Sequence, residues 1–190
     1  MDKEKDGGIK FVKGLDLCEQ FYYDVVKPLL SAHFAATPFS YTAALIGNGS
    51  EVISFDTPMS TDHDWGPRCM LFLSEEDSER YGPQIDQAMR RCLPPSYLGF
   101  PTGFVPSTDQ EGNSNVQVPC HSNSYDAEIN HKIVVTTIRS FVLTHLGHDI
   151  NTPLDSIDWL TFPEQKLLTL TGIIPDYCYL PEIFSLSFIV

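Results

Sequence analysis

Two short runs in this sequence hold the residue types that phosphoryl chemistry asks for. Gly47-Asn48-Gly49-Ser50 stops the apolar run Tyr41-Thr42-Ala43-Ala44-Leu45-Ile46. Glycines at the end of a strand let backbone N–H groups approach phosphate oxygens with no Cβ in the way, and the Ser50 hydroxyl adds a further hydrogen bond. Asp62-His63-Asp64 follows Ser50 after eleven residues. In an extended segment residues two apart point to one side, so Asp62 and Asp64 can reach a common Mg²⁺ site while His63 points away and has a structural role. Either element alone is weak, because glycine turns after strands mostly just turn the chain and D-x-D is often a solvated turn. Their spacing supplies the specificity.

Other residues of chemical interest are weaker candidates. Arg68, just past the carboxylates, and Lys132 are cations that could touch phosphate oxygens or serve as ordinary ion-paired residues. His145 and His148 have a three-residue spacing that could hold a metal on a helix, but Gly147 lies between them. The sequence has no G-K-[ST] phosphate loop, G-x-S-x-G elbow or H-E-x-x-H helix.

The elements that must position these residues are legible from periodicity and punctuation. Phe11, Leu15, Cys18, Tyr22, Leu29 and Phe34 recur at helical spacing and predict a helix over 14–34, with Pro28 as a kink or break. Tyr41 to Ile46 and Arg68 to Leu73 predict strands. Ser74 before Glu75-Glu76-Asp77 predicts an N-capped helix to about Cys92, ended by Pro94-Pro95. The Gly-, Pro-, Ser- and Asn-rich stretch 99–128 reads mostly as loop, with a brief strand near Phe104-Val105; it is either a lid or a surface excursion. Lys132 to Thr136 predicts a third strand, and Thr137 opens a helix that Gly147 stops. A last helix is expected over 159–170, with Pro163 in a first turn. The final stretch, 172–190, is apolar without a clear helical face.

Length and composition set the frame. A chain of 190 residues holds one domain with a sizeable core. Its formal net charge of -13 makes nucleic acid a poor partner, since a phosphate backbone would be repelled. Five scattered cysteines without a C-x-x-C pair suggest neither a disulfide framework nor a zinc cage. The charged start Met1-Asp2-Lys3-Glu4-Lys5-Asp6 has no signal-peptide core, and no run reaches the roughly 18 apolar residues of a membrane span. The expectation is a cytoplasmic protein with no membrane association and no specific protein partner.

A Gly-Ser pair after a strand, then eleven residues, then D-x-D leading into an apolar strand resembles the signature of the polymerase-beta-like nucleotidyltransferase superfamily. Gly49-Ser50, Asp62-His63-Asp64 and Cys69-Met70-Leu71-Phe72-Leu73 carry that resemblance. More closely, the runs from Gly47 to Val52, Met59 to Arg68 and Trp159 to Leu167 look like a DUF4037 domain, over about Phe11 to Thr171. The resemblance implies an α+β fold, a small mixed sheet flanked by helices. It places Gly49 and Ser50 on the triphosphate, and Asp62 and Asp64 on Mg²⁺ as catalytic residues; Gly47 in the glycine turn and Arg68 just past the carboxylates are expected as further nucleotide contacts. The implied reaction transfers a nucleoside monophosphate from a nucleoside triphosphate to a small-molecule hydroxyl.

Three departures accompany it. The strand Ile133-Val134-Val135-Thr136 lacks the third carboxylate of the superfamily, with Val134 in its place; Gly66-Pro67 interrupts the passage from Asp64 into its strand; and the resemblance fades after Leu170-Thr171. The expected organisation is therefore a polar tail over 1–10, a nucleotidyltransferase-like domain over 11–147, the start of a helical region over 148–171 and an atypical tail over 172–190, as in a truncated product. A catalytically degenerate nucleotide-binding or interaction module, or an inactive product, is the alternative.

Overall fold

A computed structural model of the chain describes residues 10–37, 39–62, 64–107, 116–120 and 128–170. The tail over 172–190, His63 and much of the 99–128 stretch lie outside the described residues.

The N-terminal helix covers nearly the predicted span, but it is not continuous α-helix. Gly14–Phe21 (α1) passes into a π-helical turn, Tyr22–Val26, and then into Lys27–His33 (α2). Pro28 explains the change, because it has no N–H to give the carbonyl four residues back and its ring crowds that carbonyl. A π turn just upstream absorbs the mismatch without breaking the helix.

Three strands form the central sheet, Tyr41–Ala44 (β1), Arg68–Leu73 (β2) and Lys132–Thr136 (β7), in the order β1-β2-β7. The first pair is antiparallel, with Ala44 opposite Met70; the second is parallel, with Arg68 opposite Lys132. Strand alternation then sorts the side chains. Ala43, Cys69, Leu71, Leu73 and Ile133 face a core shared with Phe21, Val26 and Leu30 and with Tyr81, Ile85 and Met89 of Glu75–Cys92 (α3). Ser74 caps α3, its Oγ accepting from the Asp77 N–H at 3.1 Å.

The opposite face carries Thr42, Ala44, Met70, Phe72, Lys132 and Val134. One end of it is covered by Phe141 of Ile138–Leu146 (α4), which meets Phe72 edge-on at 5.6 Å. Thr137 caps α4, and Gly147 ends it in the left-handed conformation at φ 80°.

Among the described residues two short antiparallel pairs lie at the start of, and within, the 99–128 interval read mostly as loop: Ser96–Tyr97 (β3) with Phe100–Pro101 (β4), and Gly103–Ser107 (β5) with Val116–Cys120 (β6). The helix expected over 159–170 is two, Ser156–Thr161 (α5) and Glu164–Leu170 (α6), because Pro163 starts a new helix instead of extending the old one. The architecture is mixed α/β, a small mixed sheet with helices, consistent with the α+β expectation. No helix among the described residues is long and apolar enough to cross a membrane.

Candidate functional site

The register brings Gly47, Arg68 and Lys132 to one edge of the sheet. β1 ends there and runs on into Gly47, while β2 and β7 begin there at Arg68 and Lys132. The chain turns at Gly47 and Gly49, with φ values of 100° and 153°, conformations that favour glycine. A tight turn follows, in which the Phe55 N–H donates to the Ser50 carbonyl at 2.8 Å.

Beneath this turn lies an ion pair absent from the sequence reading. Arg68 Nη2 donates to Glu51 Oε1 and, at 3.0 Å, to the Asn48 carbonyl. The Glu51 side chain is only 3% exposed and the Arg68 side chain 15%, so the pair is largely desolvated. Arg68 is therefore first a strut of the glycine turn. Its buried Nε has no hydrogen-bond partner among the described residues. Glu51 was not legible as a site residue, since an acid directly after Gly-Ser reads as solvated.

Gly49 is the point of closest approach. A Cβ there would stand 2.7 and 2.8 Å from the Glu51 carboxylate oxygens and would also meet Arg68 Nη2. Gly49→Ala is expected to cost about 2–4 kcal/mol, from the positive φ and from displacement of the ion pair. Urea unfolding of the variant measures the loss.

The aspartates do not share an extended segment. Asp62 closes a 3₁₀ turn, Pro58–Asp62, and Asp64 sits in the left-handed region at φ 50°. The argument that alternation aims both carboxylates to one side is thus replaced by a turn geometry. Beyond Asp64 the chain bends again at Gly66, φ 143°, before entering β2, as the Gly66-Pro67 interruption suggested. The Cys18 thiol donates to the Gly66 carbonyl at 3.4 Å; burial pushes its pKa up to about 12, which keeps it a thiol.

Both aspartates are exposed, and Lys132 Nζ donates to Asp64 Oδ1. The Lys132 ammonium also lies 4.5 Å from the centre of the Phe104 ring. Burial pulls its pKa below the ordinary lysine value, and Asp64 opposes that shift. On the same face of β7 stand Val134 and Thr136, so Lys132, Val134 and Thr136 present no carboxylate to the edge. The place assigned to Val134 is on this face, where the residue is 45% exposed.

His145 joins the site from α4. Its Nδ1 lies 2.9 Å from the Phe141 carbonyl, and its Nε2 is 3.4 Å from where a Cβ on Gly47 would stand. His148 instead has Nε2 2.8 Å from the Thr152 carbonyl. The two rings are thus anchored to different carbonyls.

Among the described residues no group of three or more His, Cys, Asp and Glu comes together as a metal site. Mg²⁺ is commonly held by one or two carboxylates, with substrate phosphates and waters completing the shell. Asp64, exposed and joined through Lys132 to the strand end that carries Arg68, offers one such carboxylate, and Asp62 is an exposed second one two residues earlier in the chain, so the donor chemistry fits a metal that arrives with a polyphosphate.

Compared with protein-family models, curated proteins and solved structures, the chain gives no match.

Proposed function

We propose that the chain is a nucleotidyltransferase-like protein that binds a nucleoside triphosphate with Mg²⁺ and transfers the nucleoside monophosphate to a small-molecule hydroxyl. The observation that carries this reading is the convergence of the Gly47–Ser50 turn, Asp64, Arg68 and Lys132 at one edge of a β1-β2-β7 sheet. The resemblance to the polymerase-beta-like superfamily and to DUF4037 domains belongs to the same proposal, as does a cytoplasmic location.

In this reading the turn's backbone N–H groups and Ser50 hold the polyphosphate, and the Arg68 guanidinium beneath the turn supplies positive charge. Asp62 and Asp64 would hold Mg²⁺, which neutralises charge on the phosphate oxygens. The acceptor oxygen bonds to the α-phosphorus, the α–β phosphoanhydride breaks, pyrophosphate leaves and the hydroxyl proton is released.

Calorimetry with Mg-ATP and Mg-GTP tests it. Asp62→Ala and Asp64→Ala are each expected to lower Mg-nucleotide affinity by about tenfold or more, because each removes a metal-binding carboxylate. A folded wild-type chain that binds neither nucleotide sinks the idea.

A second reading is favoured by a specific observation. With no carboxylate on the Lys132-Val134-Thr136 face and with Lys132 already on Asp64, the site suits nucleotide binding without transfer. Mg-nucleotide binding with no release of pyrophosphate across a panel of hydroxyl acceptors would establish that reading.

A further inference from the structure

We propose that the cavity walled in part by Thr61 and Trp65, the chain neighbours of Asp62 and Asp64, is the acceptor subsite and takes an uncharged apolar ring bearing a hydroxyl group. The proposal rests on the nucleotidyltransferase reading for the fate of that hydroxyl. The cavity holds about 330 Å³, and Phe11, Trp65, Phe100, Pro58, Thr61 and Gly66 form most of its wall. That volume is at the lower end of small-molecule sites, which commonly measure about 300–1,000 Å³.

Its lining is an aromatic array. Trp65 stacks on Phe11 at 5.8 Å and 26°, and Phe100 meets it edge-on at 5.1 Å and 70°. Trp65 is 2% exposed and Phe100 9%, so Phe11 is the ring of the three left to meet a guest, in offset or edge geometry. The polar groups at the wall are already engaged: the Trp65 indole N–H donates to Asp56 at 3.3 Å, and the Thr61 hydroxyl donates to the Pro58 carbonyl at 2.9 Å. Neither of these donors is left to read the edge of a nucleobase, and burying such an edge unpaired costs free energy. An apolar ring pays no such penalty.

Position supplies the link to chemistry. Thr61 directly precedes Asp62, and Trp65 directly follows Asp64, so one stretch of chain forms the cavity wall and carries both carboxylates. Transfer then joins the hydroxyl oxygen to the α-phosphorus as pyrophosphate departs, with the proton released to solvent.

The chain has two tryptophans, so Trp159→Phe leaves Trp65 as a single reporter. Its indole N–H signal in nitrogen-15 spectra is followed during titration with 2-naphthol, and separately with adenosine. A saturable shift with 2-naphthol is expected, with adenosine binding about tenfold more weakly or less. Thr61→Phe, which fills the cavity, and Phe11→Ala, which removes the stacked ring, are each expected to weaken 2-naphthol by about tenfold.

Absence of a saturable shift, or undiminished binding in both variants, overturns the proposal. Adenosine binding as tightly as 2-naphthol also overturns it and assigns the cavity to a nucleobase. Mg-ATP calorimetry on the same sample separates the underlying reading: ring binding without Mg-nucleotide binding removes the acceptor role while leaving a ring site.

Discussion

Arg68→Ala is expected to lower the unfolding free energy by about 3–5 kcal/mol, the range for removing one partner of a buried ion pair. The loss comes from Glu51, whose side chain is 3% exposed and would remain charged or take up a proton without its guanidinium. The Asn48 carbonyl would lose its donor at the same time. Chemical denaturation gives the magnitude. A loss under about 1 kcal/mol, the range of a surface pair, would falsify the strut assignment.

The same residue was read from sequence as a phosphate contact, and a double variant separates the two roles. Glu51→Leu with Arg68→Met replaces the pair by apolar side chains, an exchange that is often near neutral for stability. Stability is therefore expected to return toward wild type. Affinity for Mg-tripolyphosphate is expected to stay low, because the positive charge beneath the glycine turn has gone. Recovery of both would make Arg68 purely structural.

What could be read from sequence divides along the range of the interactions. β2, α3, β7 and α4 were legible to within a residue or so, because their limits are local: Ser74 and Thr137 accept from N–H groups three residues on, and Gly147 stops its helix through its own φ. The π turn was not legible, since a change of hydrogen-bond register leaves the spacing of apolar residues almost unaltered. β6 was hidden because Val116-Gln117-Val118 alternates too briefly inside a Gly-, Ser- and Asn-rich stretch.

At the candidate site, Gly47, Gly49, Asp62 and Asp64 were singled out by spacing. The pairings beneath them were not legible, although Arg68 and Lys132 were themselves candidates, because Glu51 and Arg68 are 17 residues apart and Asp64 and Lys132 are 68 apart. No local pattern announces that an acid will be buried or which cation will meet it. The 3₁₀ turn ending at Asp62 and the left-handed conformation of Asp64 were likewise invisible, although Gly66-Pro67 signalled that the strand does not begin at Asp64.

Asp56 gives the second large effect, and it too is a long-range partner in a stretch that reads as polar loop. α1 has no local side-chain cap, as Lys13 holds that position. Asp56 supplies the cap from across the fold: its Oδ2 accepts from the Gly14 N–H at 2.6 Å, in the first turn of α1, and from the Trp65 indole at 3.3 Å. Lys13 Nζ adds an ion pair at 3.3 Å and donates to the Asp56 carbonyl at 2.6 Å. The close approach is possible because Gly14 has no Cβ; one there would stand 2.5 Å from Glu51 Cβ. The carboxylate is 2% exposed, so Asp56→Ala leaves two buried N–H donors without an acceptor and is expected to cost about 2–5 kcal/mol. Asp56→Asn keeps one acceptor oxygen and is expected to cost less than the alanine change, with the charge lost. Because Asp56 also fixes Trp65, the alanine variant should shift Trp65 emission to longer wavelength in a Trp159→Phe background, at denaturant concentrations where the protein is still folded. Loss of stability with unchanged emission would place the role of Asp56 at α1 alone and leave Trp65 held by its contacts with Phe11 and Phe100.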